Sequence, residues 1–400
     1  MCIRDRFMSE GENIRWRGAP SSVSASAITL PGFGSGSGDL LTVVSGTGMG
    51  QTREVLSAAG GVVTVDEPWH VRPDASSVIV VGTYTRRMVV YDNYFEGAKR
   101  AVTSGTHSAT TAVEPYGGAI DWIVDGNIMK DLRYSVQQFS IFKDRTEGVD
   151  AYVSMPHFFN RYTDNVIDGC RAGINIMVIK EPRYPYGALG DASYFGVLYR
   201  DNEIKNAVSS ALQTSAGGVS EAKFAMTIFE RNQIQTESKC VIEASGQENH
   251  IWIDNSFTGN GSGNGMVIGS GHVPALSGNQ WSGFSSPYAG ATPGAVLELP
   301  KRTIGLNDEN PSSAVRVNNA GTAPMSWSAT SSQPWISVSG TSGAVVGQEA
   351  AGQFTVRDEP ALVPAPAAEA VVDIETADGQ VKQLTVIYSA EGNDPFPPVE

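Results

Sequence analysis

The 400-residue chain is poor in cysteine, with three, and it has no apolar run long enough to span a bilayer. Cys2, Cys170 and Cys240 show neither metal-ligand spacing nor the numbers of a disulfide framework, which leaves Cys170 and Cys240 as buried structural thiols. A basic excess is missing too. Twenty-eight Lys and Arg face 42 Asp and Glu, a net charge of −14, and this excludes nucleic-acid binding through a broad basic face. The imbalance is uneven: from Asp308 to Glu400 there are 12 acids and 3 bases, so an anionic polymer remains compatible with the rest of the chain. The glycine-rich run Gly32 to Gly38 lacks the Gly-Lys-Ser/Thr ending of a phosphate loop. No signal peptide is visible. Met1-Cys2-Ile3-Arg4-Asp5-Arg6 reads as translated adapter sequence, so residues 1–10 are expected to be a foreign leader replacing a missing N-terminus.

Against these absences stands a repeat. An Asn recurs in a short phrase at Asp92-Asn93-Tyr94, Gly126-Asn127-Ile128, Asp164-Asn165-Val166, Asp201-Asn202-Glu203, Arg231-Asn232-Gln233 and Asp254-Asn255-Ser256. A degenerate seventh follows at Gly278-Asn279-Gln280, and the spacings are 34, 38, 37, 30, 23 and 24 residues. Such periods mark a repeat architecture. An apolar strand precedes each Asn in most copies, as in Met88 to Tyr91, Trp122 to Val124, Val197 to Tyr199 and Ile251 to Ile253. One Asn per stacked coil predicts an amide ladder along a turn, with amide groups bonded up and down. The predicted fold is all-β, a right-handed parallel β-helix.

A second strand is expected after each Asn phrase: Ala101 to Thr103, Ser135 to Phe142, Gly173 to Ile179, Ser210 to Thr214, Cys240 to Ala244, Gly265 to Ile268 and Val296 to Leu299. Alternation predicts Ile174, Ile176 and Ile242 inward, with Asn175, Met177, Val241 and Glu243 outward on this front sheet. Five segments are expected: the leader 1–10, a small β module with a partial coil over 11–85, the β-helix over 86–305, an Ig-like sandwich over 306–390, and a tail over 391–400. The module follows from short strands punctuated by Gly and Pro. The sandwich follows from six or seven alternating strands with two tryptophans, Trp327 and Trp335, expected in its core rather than stacking on sugar.

Coil lengths place the surplus after the front sheet, at Gly105 to Ala119, Lys143 to Phe159, Lys180 to Ser193 and Ala216 to Ala222. Insertions at one corner of a solenoid project from one side and wall a groove suited to an extended polymer. Two phrases match there, Phe142-Lys143-Asp144-Arg145 and Ile179-Lys180-Glu181-Pro182-Arg183. In register, Lys143 and Lys180 would be one rung apart, and mutual repulsion would ready one of them as a base. Arg145 and Arg183 could clamp a carboxylate and stabilise an enolate, the logic of β-elimination. A salt-bridged surface ladder is the competing reading. Glu243 is the best single carboxylate for hydrolysis, with Asp191 or Glu147 as distant partners. His157 is a candidate acid or base, or a structural histidine.

The Asn phrases resemble the pectate-lyase-like β-helix superfamily over residues 86–305, which includes lyases, glycosidases, epimerases and phage tailspikes. The resemblance implies fold rather than activity. The Asn-x-Asp, Asp-Asp, Gly-His-Gly and Arg-x-Lys set of polygalacturonases is missing, as is the arginine signature of classical pectate lyases, so no catalytic residue transfers. Asn319-Ala320-Gly321, Trp327-Ser328 and Pro334-Trp335-Ile336-Ser337-Val338 resemble the BACON-type domain of bacterial surface and carbohydrate-active proteins. Gly50-Gln51-Thr52-Arg53, Val65 to Trp69 and Pro73 to Ser77 resemble a small β module of large bacterial β-helix proteins and some phage proteins. Together these imply a secreted or cell-surface protein whose partner is a polysaccharide or other glycan. It is expected to be a lyase or glycoside hydrolase, or alternatively a non-catalytic adhesion protein or a tailspike-like one. No cofactor is required by the sequence, and calcium enters only with lyase chemistry.

Overall fold

The computed structural model describes the whole chain except residues 1, 4–6, 12, 35, 98–110, 145–151, 181–190, 216–222, 237–238, 244–249, 270–273, 291–293, 300–302, 320–322, 346–350, 364–366 and 390–400. It forms two compact units, Met1–Pro274 with Gln280–Ala291, and Ala275–Asn279 with Thr292–Glu400. Among the described residues all regular structure is strand.

The first unit holds a parallel β-helix whose coils visit four sheets in turn. One coil runs through Ala119–Ile120, Ile123–Asp125, Ile128–Lys130 and Tyr134–Asp144. Each of these pairs in parallel with the matching strand of the next coil. The fourth is the front sheet. The predicted amide ladder is present: Asn93, Asn127 and Asn165 each donate from Nδ2 to Oδ1 of the next Asn at 3.0–3.1 Å, and Asn202 and Asn232 do so at 2.9 Å. Each Oδ1 also accepts the backbone N–H of the preceding Asn, at 2.9–3.2 Å. The left-handed backbone belongs not to the Asn but to the residue before it: Asp92, Gly126, Asp164, Asp201, Arg231 and Asp254 all have φ between 51 and 64°. Asp and Gly there suit that conformation, and Arg231 is held to it by the coil.

Three-residue strands bury only their middle side chain, so one residue per coil builds each internal column. In the second sheet that column is Val90, Val124, Tyr162, Tyr199, Phe229 and Trp252. Its rings stack, with Tyr199 4.9 Å from Phe229 and Phe229 3.8 Å from Trp252, both within 9° of parallel. A ladder of aromatics thus fills the core, bringing large apolar area in offset stacks.

Cys2–Ile3 pairs with Tyr94–Phe95, and Phe7–Gly11 pairs with Val113–Gly117, adding strands to the third and front sheets. Two expectations are corrected. The first-coil front strand is Thr111–Gly117, while Ala101 to Thr103 lie outside the described residues. The last is Ser286–Gly290, whereas Leu297–Glu298 pairs with Asn318 and Asn319 of the second unit.

Between Phe7–Gly11 and the coils sits the small module, a seven-stranded antiparallel sheet around Trp16, Phe33, Val43, Val63 and Val81. The quoted signature residues serve as its fasteners. Arg53 lies over the Trp69 ring at 5.2 Å and donates to the carbonyls of Glu67 and Pro68. Gln51 accepts the N–H groups of His70 and Val71. Leu40, Val44 and Val80 of the module pack on Ile120, Phe158 and Ala192 of the solenoid.

The second unit has two sheets, of four and five strands, around one apolar core. Trp327 and Trp335 are both buried in that core, as the sequence predicts. Thr303–Leu306 joins it by pairing with Thr385–Tyr388. The unit therefore begins ahead of residue 306.

Candidate functional site

The front sheet carries the candidate site, and its register decides which residues share a face. Tyr134–Asp144 pairs with Ala172–Lys180 so that Val136 meets Ile174, Gln137 meets Asn175, Phe139 meets Met177, and Phe142 meets Lys180. Lys180 is thus opposite Phe142, not Lys143, which instead pairs with Val153 of an antiparallel hairpin strand. The proposed lysine rung is therefore not formed. Arg145, Arg183 and Glu147 lie outside the described residues.

Val113, Val136, Ile174, Leu212, Val241 and Met266 form one core row. Val241 is buried there, so the alternation of Lys239–Glu243 is one residue out of phase with the expectation. Glu243 pairs in register with Ile268, two positions along from the Val241–Met266 core pair, rather than with the outward row.

The next row is polar and lies on the opposite face of the sheet. It consists of Glu114, Gln137, Asn175 and Gln213, aligned through successive pairings. Glu114 is 7%, Gln137 9% and Asn175 2% exposed, and Gln213 is half-buried, so solvent reaches the row chiefly at Gln213. Thr111 donates to Gln137 Oε1 at 3.3 Å, and Asn175 Nδ2 approaches Met177 Sδ at 3.0 Å. Asn175 Oδ1 accepts no hydrogen bond. Two positions further along runs a row of Tyr116, Phe139 and Met177, with Tyr116 and Phe139 edge to face at 5.4 Å. Asn175 was expected outward. The roles of Gln137, Gln213 and Glu114 were not, although aligning the strands at period 2 from Tyr134 and Ala172 would have put them in one line.

His157 proves to be a core residue. It sits on His157–Phe158, fully buried, with Nε2 3.1 Å from the Phe139 carbonyl and its ring 5.0 Å from Tyr194. Burial pushes its pKa down to about 4, so the ring is neutral. Tyr194 in turn stacks on Phe224 at 4.9 Å, and His157 is one step of an internal ring ladder. Asp191 is buried and bound by Arg17 through two bonds of 2.7 Å, which uses it as an anchor for the module. Both cysteines are buried and unpaired, and desolvation raises their thiols, to about 11 for Cys170 and about 12 for Cys240.

In the second unit a shallow depression of about 470 Å³ is lined by Ser328, Thr330, Ser331, Val338, Thr341 and Ser342. It offers hydroxyls and no aromatic platform. Among the described residues no group of three His, Cys, Asp or Glu could hold a metal ion, and no helix is long and apolar enough to cross a membrane.

Comparison with known families assigns part of the chain. Residues 296–380 match the viral BACON domain. No curated protein matches the chain. Among solved structures, the periplasmic chaperone SfaE is similar at 11% identity over 24% of this chain and 59% of its own, with a TM-score of 0.22. A Bacteroides ovatus GH5 xyloglucanase in complex with a XXXG heptasaccharide is similar at 17% identity over 24% of this chain and 19% of its own, with a TM-score of 0.19. The human CEP192 PapD-like domain 7 gives 13% identity, 24% and 84% coverage, and a TM-score of 0.20. The chain thus spans less than two thirds of the length of the chaperone and the xyloglucanase. At these TM-scores the likenesses carry no functional weight.

Proposed function

We propose that the protein is an extracellular glycan-binding β-helix that holds a polysaccharide along the outward face of its front sheet. The observation that carries this reading is the row of Gln137, Asn175 and Gln213 beside the row of Tyr116, Phe139 and Met177. Amides offer donors and acceptors to sugar hydroxyls, and stacked rungs repeat them along a polymer, while Phe139 in the neighbouring row is packed against Met155, Ile14, Tyr116 and Met177 and serves to hold the row in place. Binding is the simpler reading because it needs no pair of carboxylates, whereas hydrolysis with two carboxyl groups requires Glu114 and Glu10, the latter in register with Tyr116, to stand at a set separation.

A second reading concerns the setting. The viral BACON match favours a solenoid carried by a virus particle and used to hold a host's surface glycan, the tailspike-like alternative, over a free secreted enzyme. Incubating the full chain with a polysaccharide panel tests both. Retention on at least one polymer without new reducing ends or unsaturated products is the expected result. Gln213→Ala, at the half-buried end of the row, should weaken retention about tenfold. Release of products would move the assignment back to a lyase or hydrolase.

A further inference from the structure

The outward side of the second sheet carries an apolar stripe. Its first row runs Val89, Ile123, Arg161, Leu198, Ile228 and Ile251, aligned rung by rung. Val89 is 61% and Ile123 38% exposed, while Leu198, Ile228 and Ile251 are partly exposed. Tyr91, two positions along from Val89, is 63% exposed. Water thus meets an aliphatic row about 24 Å long, broken once by Arg161. Contiguous apolar surface of this kind on a folded protein marks a contact face. The side is also smooth. Residues 119–130, 157–168 and 194–205 have equal lengths and align throughout, so no loop interrupts the face in these coils.

The charges beside the stripe choose its occupant. Arg161 is the one charged residue of the row, and it is exposed. The second outward row, two positions along, carries Asp125, Thr163, Arg200 and Glu230 in that order. Asp164 follows Thr163 in the turn and is exposed as well. Burial first, and then the carboxylates of Asp125 and Asp201, raise the Asp164 pKa. Asp201 has its own partner in Arg231, at 2.7 Å. A cation brought beside Asp164 relieves the remaining repulsion.

We infer that this face pairs with the same face of a second copy of the chain, the two solenoids lying side by side with their coils parallel. The pairing is independent of the glycan reading, which concerns the front sheet. A two-fold axis along the solenoid lays the first row of each copy over the second row of the other, at equal height. Arg161 of each copy then meets the acidic corner of the other, Asp125 and Asp164, and the aliphatic residues cover one another. With the solenoids antiparallel, centring the stripes sets Asp125 of each copy against Glu230 of the other, like against like. Three-residue strands over this height give a face of roughly 10 by 24 Å, well below that of a permanent dimer. The association is therefore reversible, with a dissociation constant on the order of 10 µM.

Sedimentation velocity of the full chain between about 1 and 200 µM tests the pairing. The weight-average mass should rise from that of one chain toward that of two. Ile123→Glu puts a charge into the stripe and should raise the dissociation constant at least about tenfold. Arg161→Glu and Asp164→Arg should each weaken pairing alone, and an equimolar mixture of the two should pair again because opposite charges then meet. These positions are exposed, and Arg231 already occupies the turn position of Asp164 two coils on, with φ of 51°, so the fold accommodates the changes. A parent that stays monomeric at about 200 µM would overturn the inference. So would an Ile123→Glu variant that pairs like the parent, a charge-swapped mixture that stays apart, or an assembly larger than two chains.

Discussion

Arg17 of the small module grips Asp191 of the solenoid through Nε and Nη2, each 2.7 Å from a carboxylate oxygen. Asp191 is fully buried while the Arg17 side chain keeps 18% of its surface exposed, which makes this a partly desolvated, bidentate pair. Such a pair adds little net stability, yet removing one partner strands a charge in the interior. Arg17→Ala should therefore cost about 3–5 kcal/mol, read as a shift in the urea midpoint. Replacing both, as Arg17→Met with Asp191→Leu, should recover most of it. Equal losses in the single and double variants would show that the pair is not coupled.

The Asn ladder predicts a gradient. Asn202 receives two bonds at Oδ1 from Asn165 and donates from Nδ2 to Asn232 and to the Tyr162 carbonyl, all in the interior. Asn202→Ala leaves buried donors and acceptors unpaired on both sides, a loss of about 2–4 kcal/mol. Asn93 is half-buried and its Nδ2 also reaches the Tyr91 carbonyl at the exposed edge, so Asn93→Ala should cost about 1 kcal/mol. Thermal melts of the two variants compare them directly, and a larger loss at Asn93 would contradict the ladder's role.

His157 sets an acid limit. Its pKa falls from an ordinary 6.5 to about 4 because burial disfavours the imidazolium. The unfolded chain then binds the proton first, so stability is full above about pH 6.5 and declines as pH falls toward 4. This one group contributes up to about 3 kcal/mol of that decline. In His157→Phe the decline over the same window should be shallower, as measured by denaturant unfolding at stepped pH. An unchanged slope would place the acid sensitivity elsewhere.

Fold and site were legible to different depths, for physical reasons. The Asn phrases announce themselves because each fixes both a left-handed turn residue and an amide that must stack. Strand phase was harder. Cys240-Val241-Ile242 is apolar at three consecutive positions, so alternation alone cannot tell that Val241 faces the core. The Lys143 and Lys180 phrases look alike, but register is set from the strand starts, Tyr134 against Ala172, and it slips the two lysines by one residue. His157 read as a loop acid or base because its partners, Phe139 and Tyr194, are distant in sequence. The polar row was hidden for the same reason: Glu114, Gln137, Asn175 and Gln213 share nothing but their register.

The last prediction concerns the enclosure of Trp327. Its indole lies between two backbones: a Cβ on Gly352 would meet Nε1 at 2.5 Å, and one on Gly343 would meet the ring at 3.0 Å. Both glycines are thus required by close approach rather than by backbone angle. Gly352→Ala should destabilise the second unit by about 1–3 kcal/mol through overpacking, and Gly343→Ala by less. Because this unit has its own core, residues 292–400 expressed alone should melt cooperatively and show the same order of effects. Trp327→Phe, which frees space beside the glycine, should soften the Gly352→Ala penalty in the double variant. A tryptophan held this way has no face for sugar, so its fluorescence should not change when glycan is added to the isolated unit. A ligand-dependent change at Trp327, or a Gly352→Ala variant of parental stability, would mean that the ring is exposed enough to bind.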